Sequence, residues 1–450
     1  MEDDICISNI EGYEFEELNK VSLNTNVTLT IEVVTYNYAA YIESCLNGIL
    51  NQKTKYTYEI LIYDDNSYDG TKDIIKNFAE KYPEIIHAFL AKENTYNSKK
   101  RPIINRVLIE KYAHGQFVSF CEGDDFWIDN NKIEKQINFM IQNPAYVLSV
   151  HNAYKIDMRN NVQKPMLSIT QDMELDAETI IKQKYGMLPT ASMIGKKEVF
   201  LVGDFLFGYT IGDWNVQLSA ISKGKVYYHK EIMSVYRFFL QDSWSMRTFE
   251  SYTNRLEHVS QMLNLLEEFD VYTERKYNIY IRQKKSALLA SLFDIFELED
   301  KIFCDELKKV GTMVNDKLVN SIAIFRDAKK KLVDIDTEKQ SVKLNKFLQD
   351  SFKNKDIYIY CASTAGVRAK KVLAKLWKYS VKGFLDSDSS KLGIELDGIH
   401  VVDINELNGK VNYIILVASL DYDAVISKRL SEEGYAFVSA CDFYLNVIDM

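Results

Sequence analysis

Proline, clustered cysteine, long apolar runs and concentrated positive charge are all scarce in this chain. Its five prolines, Pro83, Pro102, Pro144, Pro165 and Pro189, all fall in the first 189 of 450 residues. Neither glycine nor proline interrupts the stretch between Gly224 and Gly311, so the chain changes character after its middle. The six cysteines (Cys6, Cys45, Cys121, Cys304, Cys361 and Cys441) form no C-x-x-C, which argues against a zinc site or disulfide framework and fits a reducing cytoplasm. No apolar run approaches the ~18 residues a membrane span needs. The amino terminus, MEDDICISNI, lacks the basic segment and apolar core of a secretory leader. The expected location is therefore the cytoplasm, with contact at the inner membrane face only peripheral. A net charge of −9, with Lys99-Lys100-Arg101 and Lys329-Lys330-Lys331 as the only basic triplets, excludes a general nucleic-acid binder.

What is present is ordinary for a folded protein: 47% hydrophobic and 26% charged residues, in a length that fits two or three domains. From Val27 onward, short β-branched runs alternate with helical stretches: VTLTIEVV, a helix near 39–50, YEILIY, a helix near 71–81, and FVSFC at 117–121. Such a βαβ series predicts a doubly wound parallel α/β sheet that binds ligands beyond the carboxyl ends of its strands. A looser mixed portion follows to about 245, with strand-like YVLSVHNAYKI and KVYYHKEIMSVYRF. Residues 250–350 read as helices, and Leu256, Val259, Leu263, Leu266 and Phe269 form one apolar stripe. Packing explains that stripe, with docking to a membrane or a partner as the alternative, and a homo-oligomer is a further expectation for the chain. Near 355 the βαβ pattern returns in DIYIYC, VKGFLD and VNYIILVAS. The expected domains are an extension at 1–26, an α/β domain at 27–245, a helical region at 246–350 and a Rossmann-like α/β domain at 351–450.

Three acidic clusters stand at strand ends or in turns. In YDDNSYDGT, Asp64 and Asp65 follow a strand, where a carboxylate can accept the imide N–H of a uracil or serve as a cap or Asx turn. In CEGDDFW, Glu122, Asp124 and Asp125 either form a solvated acidic loop or repel one another unless a cation compensates, as Mg²⁺ or Mn²⁺ bridging to a diphosphate does. In IGDW, Asp213 beside Trp214 is either a surface-turn residue or a base for an attacking hydroxyl.

The order of these clusters, with VVTYN (33–37), LPTAS (188–192) and IGDWNVQLSAISKGKVYYHKEIMSVYR (211–237), resembles family 2 glycosyltransferases of the GT-A fold over about residues 27–245. The resemblance implies an inverting enzyme that moves a sugar from a nucleotide diphosphate, expected to be UDP-linked, to an acceptor hydroxyl. The acceptor is a surface glycan, a lipid-linked glycan or a protein Ser/Thr such as that of flagellin. By motif, Asp213 is the catalytic base, and Tyr36, Asn37, Asp65, Arg101 and Asp124 bind the nucleotide, with Arg106 a weaker match. Asp125 and Glu122 hold Mn²⁺ or Mg²⁺, and Trp127, Thr190 and Trp214 line the acceptor or sugar pocket. Many members place a His after the Tyr-Arg, whereas here Phe238 and Phe239 follow Arg237, leaving Gln241 or Asp242 as substitutes. That departure sustains one rival, a decayed transferase acting as an assembly scaffold. In the tail, IYCASTAGVRAKKVL keeps one glycine of the three in a dinucleotide fingerprint, which favours scaffolding, docking or sugar-nucleotide sensing over NAD binding.

Overall fold

The computed structural model describes residues 6–10, 12–19, 26–95, 101–184, 186–201, 212–241, 243–292, 346–377, 379–420 and 422–445. The chain divides into two compact units, Met1–Glu250 with Glu268–Lys276, and Ser251–Glu267 with Tyr277–Met450.

The first unit opens with β1 (Cys6–Ile10), β2 (Tyr13–Leu18), β3 (Leu29–Thr35), α1 (Ile42–Leu50), β4 (Tyr58–Asp64), α2 (Thr71–Lys81) and β5 (Ile86–Ala91). It continues through α3 (Arg101–Tyr112), β6 (Phe117–Glu122), β7 (Phe126–Trp127), α4 (Lys132–Gln142), β8 (Tyr146–Asp157), β9 (Val162–Pro165) and β10 (Met173–Leu175). It closes with α5 (Ala177–Lys182), β11 (Ile194–Lys196), α6 (Lys197–Phe200), α7 (Gly212–Lys223), β12 (Lys225–Phe238) and α8 (Trp244–Glu250). One sheet runs β1-β2-β5-β4-β3-β6-β11-β8-β12-β10, with β7 on β12 and β9 on β8. Strands β5, β4, β3 and β6 are mutually parallel. Every residue of β3 is buried, as expected of a strand covered on both faces, and its β-branched LTIEVVT suits that position. Because β4 and β5 lie on one side of β3 and β6 on the other, the carboxyl ends of β3 and β6 border the switch point where such sheets bind ligands.

Two boundaries differ from expectation. The sheet begins before Val27, since β2 pairs antiparallel with β5 and Phe15 is fully buried, its ring 5.9 Å from that of Tyr63. The acidic string YEFEEL masks this strand; Glu17 is buried there because His87 Nε2 meets its carboxylate at 2.8 Å. The portion read as looser belongs to the same sheet, with β8 and β12 pairing in parallel from Tyr146–Lys225 to Asp157–Phe238.

The expected helices after 245 include α9 (Tyr252–Tyr272) and α10 (Asn278–Ala290), while 293–345 lie outside the described residues. The second unit's sheet uses β13 (Asp356–Tyr360), β14 (Val381–Leu385), β15 (Glu395–Leu396), β16 (Ile399–Val402), β17 (Tyr413–Val417) and β18 (Phe437–Val438). Their order is β15-β16-β14-β13-β17-β18, parallel except for β15–β16. Helices α11 (Thr364–Trp377), α12 (Asp423–Glu432) and α13 (Ala440–Leu445) complete a Rossmann-like α/β unit. Gly366 opens α11 where a Cβ would lie 2.1 Å from the Cys361 carbonyl oxygen, so no other residue fits that turn. Asp386 is the architectural partner of the turn: its Oδ2 accepts the Ala362 N–H at 3.0 Å and the Lys391 ammonium at 2.9 Å.

No helix among the described residues is long and apolar enough to cross a membrane.

Candidate functional site

Three loops meet at the β3–β6 switch point, and backbone bonds tie them together. The Thr35 carbonyl accepts the Asp65 N–H at 3.0 Å, and the Val34 carbonyl accepts the Gly123 N–H at 2.9 Å. Gly123 packs so closely on Thr35 that a Cβ would sit 2.6 Å from its Oγ1, so the glycine is required between Glu122 and the aspartate pair.

The loop after β3 is stitched to the loop after β4. Asn37 adopts a left-handed φ of 55°; its N–H donates to Ser67 Oγ at 2.8 Å and its side-chain oxygen accepts the Tyr68 N–H at 3.0 Å. The N–H groups of Tyr38 and Ala39 donate to Thr71 Oγ1 and Asp69 Oδ2, both at 2.9 Å. Tyr36 presents its ring edge-on to Tyr68, with centroids 6.3 Å apart, and Tyr68 is 82% exposed.

The two aspartates of YDD do different work. Asp64 makes the Asx turn, accepting the Ser67 N–H at 2.9 Å and the Ser67 hydroxyl. Burial raises its carboxyl above the usual range, with the Ser67 bonds opposing. Asp65, equally buried, turns to the loop after β5: its Oδ1 accepts the Thr95 N–H at 2.7 Å and the hydroxyls of Thr95 and Tyr63, both at 2.8 Å. Thr95 was not singled out by sequence; it lies in a loop whose only signal is its proximity to the chain after β5.

The acid turn after β6 is clamped by Arg237, near the end of β12. The Arg237 N–H donates to Asp125 Oδ1 at 3.0 Å, and its guanidinium donates to the Asp124 carbonyl. That guanidinium lies 4.5 Å from the Phe126 ring centroid and 4.8 Å from that of Tyr41. Asp124 and Asp125 are both buried. Burial pushes the Asp125 carboxyl well above the usual range, and the charges of Asp124 and Glu122 add to this.

Asp213 lies in the first turn of α7, where its Oδ1 accepts the Trp214 N–H at 2.8 Å and its Oδ2 accepts the Thr190 hydroxyl at 3.3 Å. Burial raises its carboxyl above the usual range, and these two donors oppose the rise. Both tryptophans expected to line the acceptor or sugar pocket have their indoles packed inside. Trp214 is 1% exposed and donates Nε1–H to the Ile180 carbonyl at 3.3 Å, and Trp127 is 3% exposed with the Lys132 ammonium 4.0 Å from its ring centroid. Of the remaining expected residues, Arg101 begins α3 with its side chain outside the described residues, Arg106 pairs with Glu110 at 3.8 Å, Gln241 is exposed, and Asp242 lies outside the described residues.

The arrangement defines a class: an α/β sheet whose switch point gathers polar loops and a buried pair of adjacent aspartates, as ligand-binding doubly wound domains do. Residues 30–203, within the first unit, match the family model described as Glycosyl transferase family 2, and that stretch is a family 2 glycosyltransferase domain. An uncharacterized protein of Mycobacterium bovis is 26% identical over 230 residues, covering 50% of this chain and 62% of that protein. A putative teichuronic acid biosynthesis glycosyltransferase of Bacillus subtilis, TuaG, is 37% identical over 120 residues, covering 26% of this chain and 44% of TuaG. Among solved structures, S. aureus TarS in complex with UDP-GlcNAc is 16% identical with a TM-score of 0.49, covering 73% of this chain and 94% of that chain. The chain thus spans less than two thirds of the length of these two curated relatives.

Proposed function

We propose that the chain is a metal-dependent, inverting glycosyltransferase that moves a sugar from a UDP-linked donor to an acceptor hydroxyl on a surface glycan, a lipid-linked glycan or a protein Ser/Thr. The observation that carries this reading is the meeting of the Tyr36–Asn37 loop, the Asp65 loop and the Asp124–Asp125 turn at one switch point within a family 2 domain.

In this reading Asp65, held by Thr95 and Tyr63, accepts the imide N–H of the base, and Tyr36 and Asn37 line the same pocket. Asp124 serves the ribose, and Arg101 directs charge to the donor. The donor set at the acid turn fits a hard divalent cation, because Glu122, Asp124 and Asp125 are oxygen ligands that disfavour one another's charge. Among the described residues no three His, Cys, Asp or Glu side chains converge as a ligand group, so Mn²⁺ or Mg²⁺ would rest on one or two carboxylates plus the donor's phosphates. When bound, that ion stabilises charge on the leaving diphosphate.

Asp213, aimed by the Thr190 hydroxyl and the Trp214 N–H, takes the proton of the acceptor hydroxyl. The acceptor oxygen then bonds to the anomeric carbon as the bond from that carbon to the diphosphate breaks, and a single displacement inverts the configuration. The test is a panel of UDP-sugars assayed for binding and slow hydrolysis with Mn²⁺ and with excess EDTA. At least one donor is expected to turn over with Mn²⁺ and to stop in EDTA. Equal turnover in EDTA, with metal content checked, overturns the metal requirement, and the absence of any nucleotide-sugar binding overturns the reading as a whole.

A further inference from the structure

Immediately beyond the Arg237 clamp, the chain builds a cationic and aromatic outcrop that the transfer chemistry above does not use. Phe239 holds a φ of 58°, a left-handed conformation that a bulky side chain adopts only when its surroundings impose it. Its N–H is fixed by Ser245 Oγ at 3.0 Å, and its ring centroid lies 4.0 Å from that of Phe238. Both rings are half-buried and each carries a cation: the Lys155 ammonium 4.3 Å from the Phe238 centroid, and the Arg159 guanidinium 3.6 Å from the Phe239 centroid.

The cations come from the β8–β9 hairpin. Lys155 pairs across it with Lys164, and the Met158 N–H donates to the Phe238 carbonyl at 2.9 Å, which joins the hairpin tip to the end of β12. Between 154 and 166 the sequence YKIDMRNNVQKPM contains Lys155, Arg159 and Lys164 against one acid, Asp157, on a chain whose net charge is −9. Asp157 is bound by Arg159, with Nε at 3.0 Å and Nη2 at 2.7 Å. Burial lowers the Lys155 ammonium below its ordinary range, and the Lys164 charge lowers it further, while Asp157 opposes. Stacking on the rings holds the long cationic side chains in place before any ligand arrives, which reduces the ordering cost of binding an anion.

We propose that this outcrop, formed by Lys155, Arg159, Lys164, Phe238 and Phe239, is an acceptor subsite that selects a glycan carrying anionic groups, either phosphodiesters or carboxylates. Its place follows from the chain: Phe238 and Phe239 directly succeed Arg237, whose N–H bonds Asp125 in the acid turn. The proposal deepens the transferase reading and rests on it. The two are separable, because acceptor binding is measured without donor or turnover.

The experiment measures binding of the full chain to three oligomers of equal length: a polyol phosphate, a polyuronate and a neutral glucan. One or both charged oligomers are expected to bind, more weakly as salt rises, and the glucan is expected not to. The charged oligomer that binds identifies the anion. Lys155→Ala together with Lys164→Ala should weaken that binding about tenfold or more, the loss of a charge-assisted hydrogen bond. Lys164→Glu alone, at an exposed position on a hairpin strand where folding is not at risk, should also weaken it measurably. Glucan binding equal to that of the charged oligomers, or charged-oligomer binding unchanged in both variants, overturns the proposal. So does an equal loss of UDP-sugar affinity in the double variant, since the outcrop would then serve the donor.

Discussion

Each unit of this protein ends a parallel strand in a turn that only glycine can occupy, Gly123 in one and Gly366 in the other, and each keeps an aspartate close by. The aspartates have opposite fates. Asp386 accepts the Ala362 N–H and the Lys391 ammonium, so its charge is absorbed by the fold. Asp125 is buried beside Asp124 and near Glu122, and burial drives its carboxyl well above the usual range, with the charges of Asp124 and Glu122 adding to the rise. A carboxylate satisfied by its own turn is architecture, whereas carboxylates crowded in the interior with raised proton affinity mark a candidate functional site.

The largest effect is expected at Asp213. Asp213→Asn should lower acceptor transfer by about 10² or more, because the amide keeps the shape but takes no proton. The raised carboxyl also fixes two signs. The acid limb of kcat/KM should lie above the ordinary aspartate value of ~3.9, since the base must be deprotonated. A raised folded-state carboxyl binds more protons than its unfolded counterpart, so its contribution to stability falls as pH rises from the unfolded value through the folded one. Asp213→Asn should therefore melt at or above the wild-type Tm at pH 7 while losing transfer. Retained transfer removes Asp213 as the base.

Next, the two units can be set against each other directly. Asp65→Ala removes an acceptor of the Thr95 N–H and the Tyr63 hydroxyl, and Asp386→Ala removes the acceptor of the Ala362 N–H, each at a cost of about 1–3 kcal/mol in chemical denaturation. Only Asp65→Ala should also weaken uridine diphosphate binding in calorimetry. An equal loss of nucleotide affinity in Asp386→Ala would break the distinction between the units.

The smallest effect concerns the interior beneath the acid turn. Lys132 is fully buried over Trp127, and burial lowers its ammonium to about 7. Between that value and the unfolded one near ~10.4, the unfolded chain binds the extra proton, so stability rises with pH by up to about 1.4 kcal/mol per unit. Comparing wild type with Lys132→Met from pH 7 to 9 should show the slope in wild type and its loss in the variant. Parallel slopes would mean that Lys132 stays charged in the fold.

Much of the α/β skeleton was legible because parallel strands buried on both faces leave unbroken β-branched runs. LTIEVVT, YEILIYD and DIYIY stand within a residue or two of their expected places. Strand β2 was not, because Glu17 spoils the apolar pattern and its partner His87 lies 70 residues away. The acid clusters were visible as residue types, but not as partners. Nothing local separates Asp64, which binds its own turn, from Asp65, which binds Thr95 thirty residues away. Trp214 was placed at the pocket by motif; its indole N–H donates to the Ile180 carbonyl of α5, a contact that the string IGDW does not show.

The Arg237 clamp also carries a timetable. The contact between Asp65 and Thr95 closes a loop of about 30 residues, whereas that between Arg237 and Asp125 closes one of about 112. Loop-closure entropy grows with length, and non-local parallel pairing such as that of β8 with β12 is slow to nucleate. As the chain leaves the ribosome amino terminus first, the loops after β3, β4 and β5 acquire their partners while β12 is still unsynthesised. The acid turn gains its clamp only when residue 237 has emerged and β12 has docked, so an unfinished chain carries the aspartate pair without the Arg237 contacts that hold it.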